Sequence, residues 1–198
     1  MRGLVIDTTV KRGYVAAFDG EKEVVIWLDP TLSTQSALIP ACTEAISSVG
    51  IENRDLDGIV AVVGPGSFTG IRIGVTFANA MAFALSIPRF ALSAFELMRA
   101  VRPHASAYWI DAGHDSCYAA ILESGVLSEK NLDKENLPDG AIDQSTILSE
   151  LPQGALLAAR KAFEEKAFSA CQPSAECRYL KPNYMRKSQA ERLKEEKK

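Results

Sequence analysis

Three glycines in the stretch GPGSFTGIRIG (residues 64–74) stand where an apolar strand runs into a helix-like segment, the setting of a loop that cradles phosphate. Gly64, Gly66 and Gly70 give the spacing G-x-G-x-x-x-G. Thr69 stands where a dinucleotide fingerprint needs glycine, and Ile71 follows Gly70 where an NTPase loop needs lysine. The stretch therefore has the ingredients of an anion site and matches neither template. Gly66, Ser67, Thr69 and Gly70 precede a helix start, whose free N–H groups and dipole favour negative charge, and Arg72 can hold a carboxylate or phosphate. The same residues also have a plain structural use, with the hydroxyls capping the helix and Arg72 paired to a neighbouring acid.

Two carboxylates occupy matching places further out. Laying LVIDTTVKRGYVAAF (4–18) over YWIDAGHDSCYAAIL (108–122), 104 residues apart, aligns Ile6 with Ile110, Asp7 with Asp111, Tyr14 with Tyr118 and Ala16 with Ala120. Each copy reads strand, Asp, six-residue connection, Tyr, strand, at the head of a meander. That order suggests a duplicated βββαβα unit, the two-lobed α/β architecture of actin-like (ribonuclease H-like), sugar-kinase and Hsp70-type ATPases. In such ATPases the hairpin turns wrap phosphates with backbone N–H groups and the acid helps hold a metal. The chemistry wants glycine in the turn. Thr8 and Thr9 stand there instead, and their branched side chains hinder a triphosphate. Asp111-Ala112-Gly113 keeps one glycine. Asp7, Thr8, Thr9 and Asp111 are thus candidates for weak nucleotide contact, with turn capping as the alternative.

The elements that must position these residues follow from periodicity. Residues 3–7, 14–18 and 23–28 read as a three-strand meander. A helix opened by Ser33 or Ser36 carries Leu38, Ile39, Cys42, Ile46 and Val49 at helical spacing and stops at Gly50, with Pro40 expected in its first turn or at a kink. GIVAVV (58–63) is an unbroken β-branched run, as in a strand buried on both faces. Over 70–86 a second helix bears Gly74, Ala78 and Ala82 every four residues. Such a stripe admits another backbone closely, either this chain's own sheet or a partner subunit. Ser93 and Glu96 form a capping box for a helix to about residue 101. Strand patterning returns over 103–122, residues 123–155 are polar and weakly patterned, and a helix is expected around 155–170. The division expected is an N-terminal lobe over 1–102 and a reduced C-terminal lobe over 103–198.

Composition excludes several classes. The 198 residues are 47% hydrophobic and 24% charged with net charge −3, an ordinary globular balance that draws the chain to neither nucleic acid nor anionic membrane. The apolar run FANAMAFALSI (77–87) is too short to span a bilayer. MRGLVID reaches an acid within seven residues, unlike a secretory h-region, so a cytoplasmic location with reduced thiols is expected. Two histidines and four cysteines offer no zinc spacing, and no metal site is expected. From Arg186 to Lys198 six basic and three acidic residues make a charged tail, read as a solvated face, with contact to a nucleic-acid backbone or to a partner as the alternative.

GPGSFTGIRIG closely resembles the signature of the TsaB (YeaZ) family. The resemblance extends to LVIDTT at the start, QSALIP (35–40) against H-S-E-x-L-P, DAGHDSCY (111–118) against D-A-R-x-x-x-x-Y, and PNYMR (182–186) against P-x-Y-L-R. It implies an actin-like fold with degraded phosphate loops and a non-catalytic subunit. That subunit supports threonylcarbamoyl transfer to adenosine 37 of ANN-decoding tRNAs as a heterodimer with a catalytic TsaD-type subunit. A TsaE-type ATPase joins, and tRNA is met through the complex. Pairing would run through two N-lobe helices, which places Gln35, Ser36, Ile39, Gly74, Ala78 and Ala82 at the interface. No catalytic residue and no required cofactor follow for this chain. Weak ATP or ADP binding, alone or at a subunit interface, and a homodimer without the partner are left open. Gln35, Ala37 and Gly113 depart from the family's histidine, glutamate and arginine. The competing reading is a free-standing actin-fold ATPase or small-molecule kinase, which would need glycine-rich turns in both hairpins.

Overall fold

The computed structural model describes residues 1–167 and 179–185. An antiparallel meander opens the chain as β1 (Arg2–Asp7), β2 (Tyr14–Asp19) and β3 (Lys22–Trp27). Helix α1 (Thr34–Val49) is capped by Ser33, whose Oγ accepts the Ser36 N–H at 3.2 Å, and is closed by Gly50 in the left-handed region at φ 87°. Pro40 lies in its second turn, on the exposed side, rather than in the first. Strand β4 (Gly58–Gly64) is buried along its whole length. Helix α2 (Phe68–Leu85), strand β5 (Arg89–Ser93) and helix α3 (Ala94–Val101) complete the lobe, and α3 starts on the Ser93–Glu96 capping box. The sheet runs β3-β2-β1-β4-β5, with β1, β4 and β5 parallel, the order of an actin-like lobe. Sequence patterning leaves β5 unassigned because its five residues are too few to show a period.

The second meander is β6 (Ala107–Gly113), β7 (Ser116–Glu123) and β8 (Val126–Asp133), followed by the short β9 (Ile142–Asp143) and helix α4 (Leu151–Ala167). This sheet runs β8-β7-β6-β9. Strand β8 falls in the stretch read as weakly patterned. It is a sheet edge rich in charged and amide side chains, a composition that protects an edge and hides a strand. No α-helix separates β8 from β9, so the second lobe is reduced compared with the first. Helix α4 begins ahead of the expected position, at Leu151. The rest of that expected helix to residue 170, Cys171, Cys177 and the charged tail from Arg186 lie outside the described residues.

The duplication holds strand by strand with one slip. Tyr118 pairs with Asn131 just as Tyr14 pairs with Trp27, each pair member 104 residues on. In the leading hairpins Asp7 pairs with Tyr14, whereas Asp111 pairs with Cys117, and β6 is irregular between Asp111 and Gly113. A slip of one residue exchanges the faces of a strand. Asp7 is accordingly 1% exposed, while the Asp111 side chain is 62% exposed.

Both sheets share a single core. Tyr108, Ile110 and Ala120 of the second sheet cluster with Val5, Tyr14, Phe18, Phe90 and Leu92 of the first, joined by Leu151, Ala155, Ala159 and Phe163 of α4. The Phe163 ring stands edge-on to Phe18, with centroids 5.6 Å apart, and tilted on Phe90 at 4.7 Å. Arg102, which follows α3, pairs with Glu150 at the foot of α4. Helix α2 is long and apolar enough, by length and composition, to cross a membrane, which the shorter run 77–87 does not suggest. Its buried side lies on β1 and β4 as a core helix does. Phe163→Ala should lower stability by about 3–5 kcal/mol in urea unfolding, a single transition being retained. A loss below about 1 kcal/mol would show that α4 does not bind the two sheets together.

Candidate functional site

The glycine-rich turn is closed by the chain's own first hairpin. Thr8 Oγ1 donates to the Gly70 carbonyl at 2.6 Å, and the Ser67 N–H donates to the Thr9 carbonyl at 2.8 Å. A Cβ on Gly70 would lie 1.8 Å from the Thr8 carbonyl oxygen, and one on Gly66 2.6 Å from that of Thr9. The glycines thus admit the backbone of Thr8 and Thr9, and these threonines are 3% exposed. Ser67 caps α2 by accepting the Gly70 N–H at 3.2 Å. Asp7, Thr8, Thr9, Gly66, Ser67 and Gly70 are brought together as expected, but they satisfy one another. The polar groups that the sequence offers to an anion are here paired within the chain.

The carboxylates serve as turn caps. Asp7 Oδ1 accepts both the N–H (2.8 Å) and the hydroxyl (2.7 Å) of Thr9, and Asp111 Oδ1 accepts the Gly113 N–H at 2.8 Å. Burial pushes the Asp7 carboxyl above the usual range, partly countered by the two Thr9 bonds. Asp111 shifts the other way, held down by the Gly113 N–H and by Lys134, 3.1 Å away. Tyr14, opposite Asp7 in the hairpin, is fully buried, and burial beside the Asp7 carboxyl pushes its hydroxyl well above the usual tyrosine range. Among the described residues no group of His, Cys, Asp or Glu could hold a metal ion. Cys42 and Cys117 are free and buried, and burial pushes the Cys42 thiol up to about 12.

Gly74, Ala78 and Ala82 lie against the chain's own first sheet. A Cβ on Gly74 would meet Thr8 Oγ1 at 2.3 Å, and Ala78 and Ala82 are 0% and 1% exposed in the core with Ile6 and Ala61. The stripe packs on the chain's own sheet. The neighbouring face of α2 is open. Together with α1 it forms a groove of about 550 Å³ lined by Gln35, Leu38, Ile39, Thr69, Arg72, Ile73, Thr76, Phe77 and Ala80. Ile39 is 58% exposed on its rim. Gln35, Ile39, Thr69 and Arg72 therefore meet in one place, although the sequence suggests partner contact for the first two and anion contact for the others. Ser36 is exposed and engaged with the Ser33 cap, its Oγ 2.9 Å from that of Ser33. Arg72 lies over the Phe68 ring at 5.7 Å, and no acid among the described residues pairs with it. The residues missed from sequence, Ile73, Thr76, Phe77 and Ala80, form a second stripe at helical spacing beside the small-residue one.

Residues 33–136 match the family model TsaD: tRNA N6-adenosine threonylcarbamoyltransferase. Relatives include the tRNA threonylcarbamoyladenosine biosynthesis protein TsaB of Bacillus subtilis (strain 168), 41% identical over 33% of this chain and 29% of that protein. The Escherichia coli (strain K12) TsaB is 31% identical over 61% of this chain and 50% of that protein. The chain belongs to the TsaD family. YeaZ from Pseudomonas aeruginosa has a similar structure, with a TM-score of 0.58 and 27% identity over 70% of each chain. The matched stretches span half or less of the curated TsaB relatives named above. The TsaD-family match begins at the cap of α1 and runs through the groove and the glycine-rich turn, Thr8 and Thr9 lying before it.

Two outcomes test the closed turn. Gly70→Ala should destabilise the fold by about 3 kcal/mol in chemical denaturation, because the new methyl has no room against the Thr8 carbonyl. Asp7 supplies a pH signature. Its folded-state pKa is raised above the ordinary 3.8, so the folded chain binds that proton more tightly than the unfolded chain. Its contribution is fully present below about pH 3.8 and is lost as pH rises through the folded value. Asp7→Asn should flatten that part of a plot of melting temperature against pH, and an unchanged slope would contradict the assignment.

Proposed function

We propose that this chain is a non-catalytic subunit in tRNA threonylcarbamoyladenosine biosynthesis, pairing with a TsaD-type catalytic subunit through the α1–α2 groove. The observation that carries this reading is the contrast between two faces of one helix. The face of α2 that an ATPase would turn to phosphate is sealed by Thr8 and Thr9, and the adjacent face is an open, partly apolar groove with Ile39 on its rim. Exposed apolar surface in a groove is the ordinary mark of a protein contact. The relatives' names support the pathway, and the family match covers the groove. A TsaE-type ATPase and tRNA are met through the complex, and the chain works in the cytoplasm. The core filling the junction of the two sheets weighs against the ATPase or kinase alternative.

Light scattering on a sizing column, with this protein mixed with the TsaD-type subunit of the same organism, tests the proposal. A 1:1 complex should form at micromolar concentration, and Ile39→Asp should weaken it by roughly 30-fold or more, since a charge on an apolar rim must be desolvated. The protein alone should hydrolyse ATP no faster than a buffer blank. Absence of a complex, together with ATP turnover abolished by Asp7→Asn, would overturn the reading in favour of the kinase.

A further inference from the structure

Residues 179–185 form no helix or strand, yet they are fastened along α2 from Phe68 to Asn79. At the helix start Tyr184 stacks on Phe68, with ring centroids 4.7 Å apart and planes at 29°. The Asn183 N–H donates to the Val63 carbonyl at 2.8 Å, and the Asn183 carbonyl oxygen is where a Cβ on Gly64 would fall, 2.8 Å away. Farther along, Asn79 clasps the backbone of Leu180 in both directions. Its Nδ2 donates to the Leu180 carbonyl at 3.0 Å, and its Oδ1 accepts the Leu180 N–H at 2.8 Å. The Leu180 side chain packs on Val63, Ile71 and Val75, and Tyr179 lies under Arg89 just past the helix. The second sheet grips the same strap: Asn131 Nδ2 donates to the Met185 carbonyl at 2.6 Å, and Asn183 Nδ2 to Glu129 at 3.0 Å.

We infer that the strap Tyr179–Met185 is a releasable clasp that sets the shape of the α1–α2 groove, and that partner binding and strap seating reinforce each other. This rests on the groove being the docking site proposed above. The strap and the groove lie on two flanks of the same helix, and Phe68, Thr69 and Arg72 of its first turns link them. Phe68 carries the strap, Thr69 lines the groove, and Arg72 lines the groove while covering Phe68. The fastening is local. Tyr179 and Tyr184 are 58% and 41% exposed, and most of the bonds are single amide contacts, so the strap opens without unfolding the sheets. A partner that binds the seated form better must, by linkage, stabilise the seat by the same factor.

The experiment uses the full chain and the TsaD-type subunit of the same organism. Hydrogen exchange is followed at the Leu180 and Asn183 amides, and affinity is followed by calorimetry. Asn79→Ala should speed exchange at Leu180 by roughly tenfold, keep the global unfolding transition, and weaken the complex by roughly fivefold or more. In the wild type, partner binding should slow exchange at both amides. Tyr184→Ala, at the exposed end of the strap, repeats the test should Asn79→Ala fail to fold. A freed strap with unchanged affinity overturns the clasp, and the docking site stands if Ile39→Asp still weakens the complex. No complex with the wild type overturns both.

Discussion

The hydrogen bond from Thr8 to the Gly70 carbonyl holds the end of β1 against the start of α2, and much of the molecule follows from it. It requires glycine at 70 and 74, because the threonine occupies the place of any side chain there. It fixes which face of α2 meets the sheet, and so which face remains for the groove. The bond also ties up the turn, whose hydroxyl and backbone groups are paired within the chain. A loop with the outline of a nucleotide site has become a structural joint.

The elements with strong periodicity or explicit caps could be read from sequence: the first meander, α1 from Ser33 to Gly50, the buried β4, α2, and α3 on its Ser93–Glu96 box. Strand β8 could not, because an edge strand guarded by Glu129 and Lys130 loses the alternation that reveals a strand. The repeat was visible in Asp7 and Asp111, but the slip that separates their environments was not. Register depends on the irregularity between Asp111 and Gly113, and the local cue to it, Gly113 at φ 77°, reads equally well as an ordinary turn glycine.

At the site, sequence located the right residues and left their partner undetermined. Small residues such as Gly66, Gly70, Gly74, Ala78 and Ala82 record that something comes close; they do not record whether it is a phosphate, another subunit or the chain itself. Here it is Thr8, Thr9 and the β1–β4 sheet. Gln35 and Ile39 were legible only through the resemblance, whereas the stripe of Ile73, Thr76, Phe77 and Ala80 was present in the helical spacing and masked by its small-residue neighbour. The strap was the least legible part. Its bonds run from backbone to distant side chains, and such pairs leave no periodic trace.

Helix α4 wedges Phe163 between Phe18 and Phe90 while its other residues join the two sheets in one hydrophobic mass. Actin-type machines do work by swinging their lobes about a wet cleft. An interlocked apolar junction resists such a swing, since prying the sheets apart would expose the core that folds them. The side chains that hold each sheet folded are the same ones that hold the two sheets together.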